Sequence, residues 1–129
     1  MDKLWLGLLA VGSGSAIGGC ARWGLSLWLN DRHSYFFFGT FAANSIGGFL
    51  VGLAVAYFSS NPNVAPEWRL VVITGFLGGL TTFSSYSAEV VGLLDRGEAG
   101  WALLVAGSHL AASLLLTAAG FWVYRQLSA

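Results

Sequence analysis

Four long apolar stretches, with charge pushed almost entirely into the short links between them, constrain this chain more than anything else in it. They cover about residues 4–29, 35–58, 68–94 and 100–127. Each reaches the roughly 20 mainly apolar residues that a membrane-crossing helix needs. The links read NDRHS at 30–34, SSNPNVAPE at 59–67 and DRGEA at 95–99. Both prolines, Pro62 and Pro66, fall in the second link, where they cannot damage a helix. Charged residues make up 9% of the chain, against about 25% in soluble domains, too few to solvate a globule of this size. The fold class that follows is all-α integral membrane, with four transmembrane helices in a single domain over residues 1–129 and no space left for a soluble domain. Trp5, Trp28, Trp68, Trp101, Trp122 and Tyr124 stand near the expected helix ends, where an aromatic belt belongs. No cleavable leader is expected, because the first apolar run continues without charge to Ala21, too long for a signal h-region. Zero net charge argues against nucleic acid as a partner, and the lone Cys20 can form no internal disulfide.

An even number of helices places both termini on one side of the membrane. That side carries Lys3, Arg69 and Arg125, and the other carries Arg22, Arg32 and Arg96. Three against three gives no orientation by the positive-inside rule. A balanced tally is what a protein inserting both ways would show, and short chains also reach it by chance. Glycine is abundant in the first helix (Gly12, Gly14, Gly18, Gly19) and the second (Gly39, Gly47, Gly48, Gly52). Gly14–Gly18 and Gly48–Gly52 are GxxxG pairs, which allow close backbone contact. Four spans leave little room for a water-filled path within one chain, so these faces are expected to serve assembly into a homo-oligomer.

The third stretch contains GFLGGLTTFSSYS at Gly75–Ser87. Gly75, Gly78 and Gly79 precede a run of hydroxyls, Thr81, Thr82, Ser84 and Ser85, interrupted only by Phe83. Glycine loosens a helix, and Ser and Thr offer the backbone other hydrogen bonds. One reading is a helix broken at mid-membrane, a device that often holds ions where the freed backbone lines a cavity. The other is a small-residue packing face, which has the same composition.

Few polar groups stand inside the apolar stretches. Arg22 lies about two turns inside the end of the first, either snorkelling or paired, or set as a positive group at a vestibule that draws in anions. Thr40 and Asn44 are four apart and share a helical face. Asn44 supplies N–H donors, either for an interhelical hydrogen bond or for a dehydrated anion. Phe83 and Tyr86, three apart, pack ordinarily or turn their positive ring edges to an anion. His109 and Ser113 share a face of the last helix and could extend a polar track. The acids are Asp2, Asp31, Glu67, Glu89, Asp95 and Glu98. None lies deep in the first, second or fourth stretch, and Glu89 sits about 12 Å of helix beyond Thr81, towards one end. A proton-coupled cation exporter needs a buried carboxylate, so the balance favours an anion path or a passive one.

GGCARW at Gly18–Trp23, GTFAANSIGGF at Gly39–Phe49 and GFLGGLTTFSSYS at Gly75–Ser87 closely resemble, in order and spacing, the fluoride channel family known as Fluc or CrcB. The resemblance runs through all four helices. It implies an antiparallel dual-topology homodimer with two pores, which passively exports fluoride across the cell (inner) membrane. It also implies a structural, untransported sodium ion, held by backbone carbonyls at Gly78 and Thr81 of both subunits in the broken third helix. Asn44 matches the pore asparagine and Phe83 the first of two pore phenylalanines; the second position is Tyr86 here, a phenol that adds a hydroxyl. Arg22 matches an arginine near the pore entrance. Ser113, His109 and Thr40 match a polar track, joined by the hydroxyls Thr82 and Ser84. These features suit fluoride, whose hydration shell must be replaced by donors that do not hold the ion too tightly.

Two other classes compete. A small four-helix proton-coupled drug or cation exporter would rely on Glu89, and a scaffold subunit would use the glycine faces for packing alone. No nucleophile–base pair or metal cluster is visible, so an enzyme is not expected.

Overall fold

The structure, a computed structural model, describes residues 2–129. Helix α1 spans Asp2–Leu29 and α2 spans Phe38–Ser60. The third segment, Pro66–Asp95, is built in pieces. A short α3 (Pro66–Arg69) opens on the proline, whose missing N–H costs nothing at a helix start. A π-helical run, Leu70–Leu77, leads into the single turn α4 (Gly78–Leu80). After a break at residues 81–83 comes α5 (Ser84–Asp95), and α6 (Ala99–Ser128) closes the chain. Four segments are long and apolar enough to cross a bilayer, so this is a multi-pass membrane protein. The π-helical run coincides with four consecutive β-branched residues, Val71, Val72, Ile73 and Thr74, the side chains that crowd an α-helix most.

The connections are short and specified locally. Asn30, just beyond α1, accepts hydrogen bonds at Oδ1 from the amides of Gly39 (2.7 Å) and Thr40 (3.3 Å) at the start of α2. Residues 34–37 stay non-helical, with Ser34 Oγ bonded to both Phe36 N–H and Phe36 C=O; the second helix therefore begins at Phe38. Between α5 and α6, Gly97 takes a positive φ of 77°. The amide of Glu98 reaches the Leu93 carbonyl (2.8 Å) and that of Gly97 reaches Leu94 (3.0 Å), the Schellman closure that glycine makes easy.

Two helix pairs carry most of the packing: α1 against the π-helical run and α4, and α2 against α6. Both are backbone-to-backbone contacts. A Cβ on Gly14 would meet the Val71 carbonyl, and one on Gly18 the Phe76 carbonyl. From the other side, Gly79 would meet Ser15 O at 2.7 Å. In the second pair, Gly52 faces the Thr117 carbonyl and Gly120 the Phe49 carbonyl, while a Cβ on Gly48 would stand 3.1 Å from Ser113 O. This corrects the assignment of both GxxxG pairs to assembly: they are filled by neighbouring helices of the same chain. Gly12 and Gly19 do point into open space. One core cluster joins Ala43, Leu77 and Leu80 between the two pairs, and another joins Leu93, Ala102 and Val105 where α5 meets α6.

Candidate functional site

The site is built on the break. At Thr81 the backbone turns from helical to extended, with φ −88° and ψ 156°. The chain's own hydroxyls mend both stumps. Thr81 doubles up on the Leu77 carbonyl, through its amide (3.0 Å) and its Oγ1 (2.8 Å). Thr82 Oγ1 accepts from the amide of Ser85 (3.0 Å) at the head of α5. Helix ends leave such groups without intrahelical partners, and threonine can satisfy them at both ends of so short a gap.

Asn44 then holds the gap from outside. Its Oδ1 accepts from the Thr82 amide at 2.7 Å and its Nδ2 donates to the Thr82 carbonyl at 3.0 Å. The side-chain amide thus pairs with Thr82 as a neighbouring strand would. The same Nδ2 lies 3.1 Å from His109 Nδ1. Asn44 and His109 are both buried, where an unpaired polar group is costly. Of the two readings of Asn44, an interhelical hydrogen bond and a donor to an anion, the contacts within the chain are of the first kind: Nδ2 donates to the Thr82 carbonyl and lies against His109 Nδ1.

Around this clamp lie two cavities. The first, of about 260 Å³, is walled by Asn44, Thr81, Thr82, Phe83, Tyr86, His109, Leu110 and Ser113. The second, about 330 Å³, is lined by Asn44, Thr81 and Ser113 again, now with Gly47, Gly48, Gly78, Thr117 and apolar side chains. Three polar residues are therefore common to both, and the cavities meet at the break. Among the described residues, no charged side chain lines either one. Ser113 Oγ has no partner among the described residues and remains a free donor on the shared wall.

The aromatic residues divide in two. Tyr86 is pinned: its hydroxyl donates to the Ala106 carbonyl of α6 at 2.9 Å, and its ring centroid lies 4.8 Å from that of His109. Phe83 lies 5.5 Å from Tyr86, ring to ring, but is 78% exposed. The cavity wall is thus open on the Phe83 side in a single chain. Phe41 meets the His109 ring edge-on at 5.3 Å.

Six of the expected pore residues, Asn44, Thr82, Phe83, Tyr86, His109 and Ser113, come together at the first cavity. Three stand apart. Thr40 is buried and donates to Glu89 Oε1 at 2.6 Å. Ser84 is exposed, with its Oγ 3.4 Å from Thr82 Oγ1. Arg22 donates from Nε to the Gly79 carbonyl at 3.0 Å, which ties its head group to a carbonyl just ahead of the break. Glu89 proves more enclosed than its place in the sequence implied, for Oε2 is buried without a partner. Leu110 and Thr117 were not anticipated on the walls. Thr117 carries a signal in hindsight, lying four residues after Ser113, and donates to the carbonyls of Gly48 (2.9 Å) and Ser113 (2.7 Å).

Gly78 and Thr81, the expected cation ligands, lie on the second cavity. Among the described residues, neither carbonyl accepts a backbone hydrogen bond from the turns, loops or helix caps. Neutral carbonyl oxygens are hard donors, suited to hard cations rather than transition metals, and among the described residues no cluster of His, Cys, Asp or Glu competes for a metal. The donor chemistry fits, but one chain supplies too few oxygens to enclose an ion.

The family described as "CrcB-like protein, Camphor Resistance (CrcB)" matches residues 9–121. The chain is 54% identical over 123 residues to the "Fluoride-specific ion channel FluC" of Cupriavidus pinatubonensis, covering 95% of this chain and 98% of that one. It is 50% identical over 119 residues to the protein of that name from Pseudomonas aeruginosa (92% and 94% covered) and 48% over 124 residues to the one from Polynucleobacter asymbioticus (96% and 99%).

Proposed function

Because the chain belongs to the CrcB-like family, we propose that it is a fluoride-selective channel that lets fluoride leave the cell passively across the inner membrane. The observation that carries this is the pair of cavities meeting at Asn44, Thr81 and Ser113, lined by hydroxyl-bearing and aromatic residues and, among the described residues, by no carboxylate. An anion entering must trade water for protein donors. Ser113 Oγ–H, the Thr82 hydroxyl and the positive ring edges of Phe83 and Tyr86 supply them. Asn44 contributes by holding the break open in the geometry that aims these groups.

What one chain leaves open supports assembly. Phe83 is a pore residue standing 78% exposed beside the cavity, and the Gly78 and Thr81 carbonyls are only half of a coordination shell. An antiparallel homodimer closes both features: two copies flank each Phe83, and their paired breaks offer the carbonyls to one structural sodium ion. The sodium would add positive potential between two anion paths and would not itself move. The even split of Lys and Arg between the two faces allows opposite insertion of the two copies. The exporter reading is not favoured, since Glu89 lines neither cavity and is tied to Thr40.

The test is fluoride efflux from liposomes that hold the purified protein, with valinomycin carrying compensating potassium and chloride as control. Rapid fluoride release without chloride leak is expected. Asn44→Asp keeps the acceptor for the Thr82 amide but sets an oxygen against the Thr82 carbonyl and His109 Nδ1. Flux should fall at least about a hundredfold, in line with the loss of two buried hydrogen bonds and a new repulsion. Asn44→Asp flux at the wild-type rate would show that the clamp is dispensable.

A further inference from the structure

The hydrogen bonds at the break determine more than the shape of the cavity. Amide oxygen and nitrogen are hard to tell apart by position alone, but here the protein backbone decides. Thr82 N–H must face an acceptor and Thr82 C=O must face a donor, and both lie against Asn44, at 2.7 and 3.0 Å. Turning the amide over would oppose donor to donor and acceptor to acceptor. Nδ2 is therefore the atom 3.1 Å from His109 Nδ1, and it can only donate. Nδ1 must accept, so it carries no proton. A neutral imidazole has one N–H, and that N–H is left to Nε2.

We infer that His109 is a tautomer-locked donor to the permeating anion, its Nε2–H presented to the first cavity by a relay that runs from the Thr82 backbone through Asn44. The assignment rests on the channel reading above, takes His109 from the polar track that the family resemblance implies, and adds the protonation form in which the ring is held and what holds it. Nε2 has no partner among the described residues, while His109 lines the cavity beside Thr82, Phe83 and Ser113. The ring is held against rotation by Tyr86 on one side, at 4.8 Å, and Phe41 edge-on, at 5.3 Å. A ring flip would also break the bond to Asn44. The donor is thus oriented before the ion arrives, which lowers the cost of stripping water from it. A neutral donor also suits a channel, because it binds enough to admit an anion and not enough to keep it.

The experiment uses the full-length protein in liposomes, with ¹⁵N-labelled histidine read by solid-state NMR. His33, in the first link, is assigned by His33→Gln. The expected spectrum shows His109 neutral, protonated at Nε2 and bare at Nδ1, and its Nε2 resonance moves on adding sodium fluoride but not sodium chloride. A proton on Nδ1 would overturn the lock, and an Nε2 signal indifferent to fluoride would overturn the donor role. Efflux is measured alongside. His109→Phe, which keeps a flat ring and removes both nitrogens, should slow fluoride release roughly tenfold or more. His109→Gln, whose amide can both accept from Asn44 and donate to the cavity, should recover part of it and guards against a folding failure in the first variant. Wild-type flux with no loss in either variant would defeat this inference alone, whereas a wild-type protein that releases no fluoride would defeat the channel reading itself.

Discussion

The third span has two faces that solve opposite problems with the same small residues. Towards α1, glycine meets carbonyl: Gly14, Gly18 and Gly79 sit so close to opposing backbone that none has room for a methyl group. Towards α2 and α6, the break holds its neighbours at side-chain distance, through Asn44, Thr82 and Tyr86, and encloses two cavities. Lipid is as apolar as any side chain, so membrane helices gain little from apolar burial and associate through tight packing and polar bonds. The first face uses the packing term and the second the polar one. The comparison teaches that a broken helix in a small chain needs a rigid partner: α1 clamps the strand of structure ahead of the gap, and Arg22 adds a bond to Gly79 O from the same side. The cavity face can then stay open without the helix collapsing into it.

The largest expected effect therefore falls on the packed face and far from the cavity. Gly18→Ala places a Cβ against the Phe76 carbonyl, with the Leu80 amide 2.8 Å away. Both are backbone atoms, so neither neighbour can swing aside, and α1 must separate from the π-helical run. A loss of about 3 kcal/mol or more is expected, at the upper end of what overpacking costs. Gly12→Ala, on the same helix with nothing within 4 Å, should be neutral or slightly stabilising, because alanine is the better helix former. Thermal unfolding in detergent, read by loss of the monodisperse species, compares the two. Equal tolerance of both changes would break the distinction between the faces.

On the polar face the expected effect is smaller. Thr82→Val removes the acceptor for the Ser85 amide while keeping the shape. About 1 kcal/mol should go, the usual value of a helix-start side-chain bond, together with a drop in fluoride flux, since Thr82 also lines the cavity. Thr82→Ser keeps the oxygen and should recover both. A stability loss as large as that of Gly18→Ala would mean that the break, and not the glycine seam, holds the span together.

Much of this was legible in the residues. Four apolar stretches, a break at GGLTT, and Asn44, Phe83, Tyr86, His109 and Ser113 as pore residues all follow from spacing or from resemblance to the family. What could not be read is which bonds the polar groups make. Asn44 pairs with the Thr82 backbone only because Thr81 turns to a ψ of 156°, a torsion with no sequence signature. Thr40 shares a helical face with Asn44, yet turns to Glu89, since Glu89 of α5 meets α2 one turn nearer its start than the break does. GxxxG says that a backbone will come close, not whose, and so Gly14, Gly18, Gly48 and Gly52 were credited to a partner copy when their neighbours belong to this chain. The β-branched run at Val71–Thr74 was equally visible, but nothing in it specifies a π-helical winding over an α-helical one.

Tyr86 marks where the two faces are expected to differ least, and it carries the mildest prediction. The family resemblance implies phenylalanine at this position, and here the added hydroxyl reaches out of the cavity to Ala106 O at 2.9 Å. It does not enter the cavity as a new ligand. Ala106 lies well inside α6, where its carbonyl also serves the helix's own i+4 bond. Tyr86→Phe therefore leaves no orphaned acceptor, and the cost should be at most the net worth of one hydrogen bond, about 0.5–1.5 kcal/mol. The ring stays between Phe83 and His109, with centroids at 5.5 and 4.8 Å, so fluoride efflux should change by less than about threefold. A tenfold fall in Tyr86→Phe, with the unfolding midpoint unmoved, would place the hydroxyl among the groups that position the ring edge. The polar face would then depend on side-chain anchors as strictly as the packed face depends on glycine.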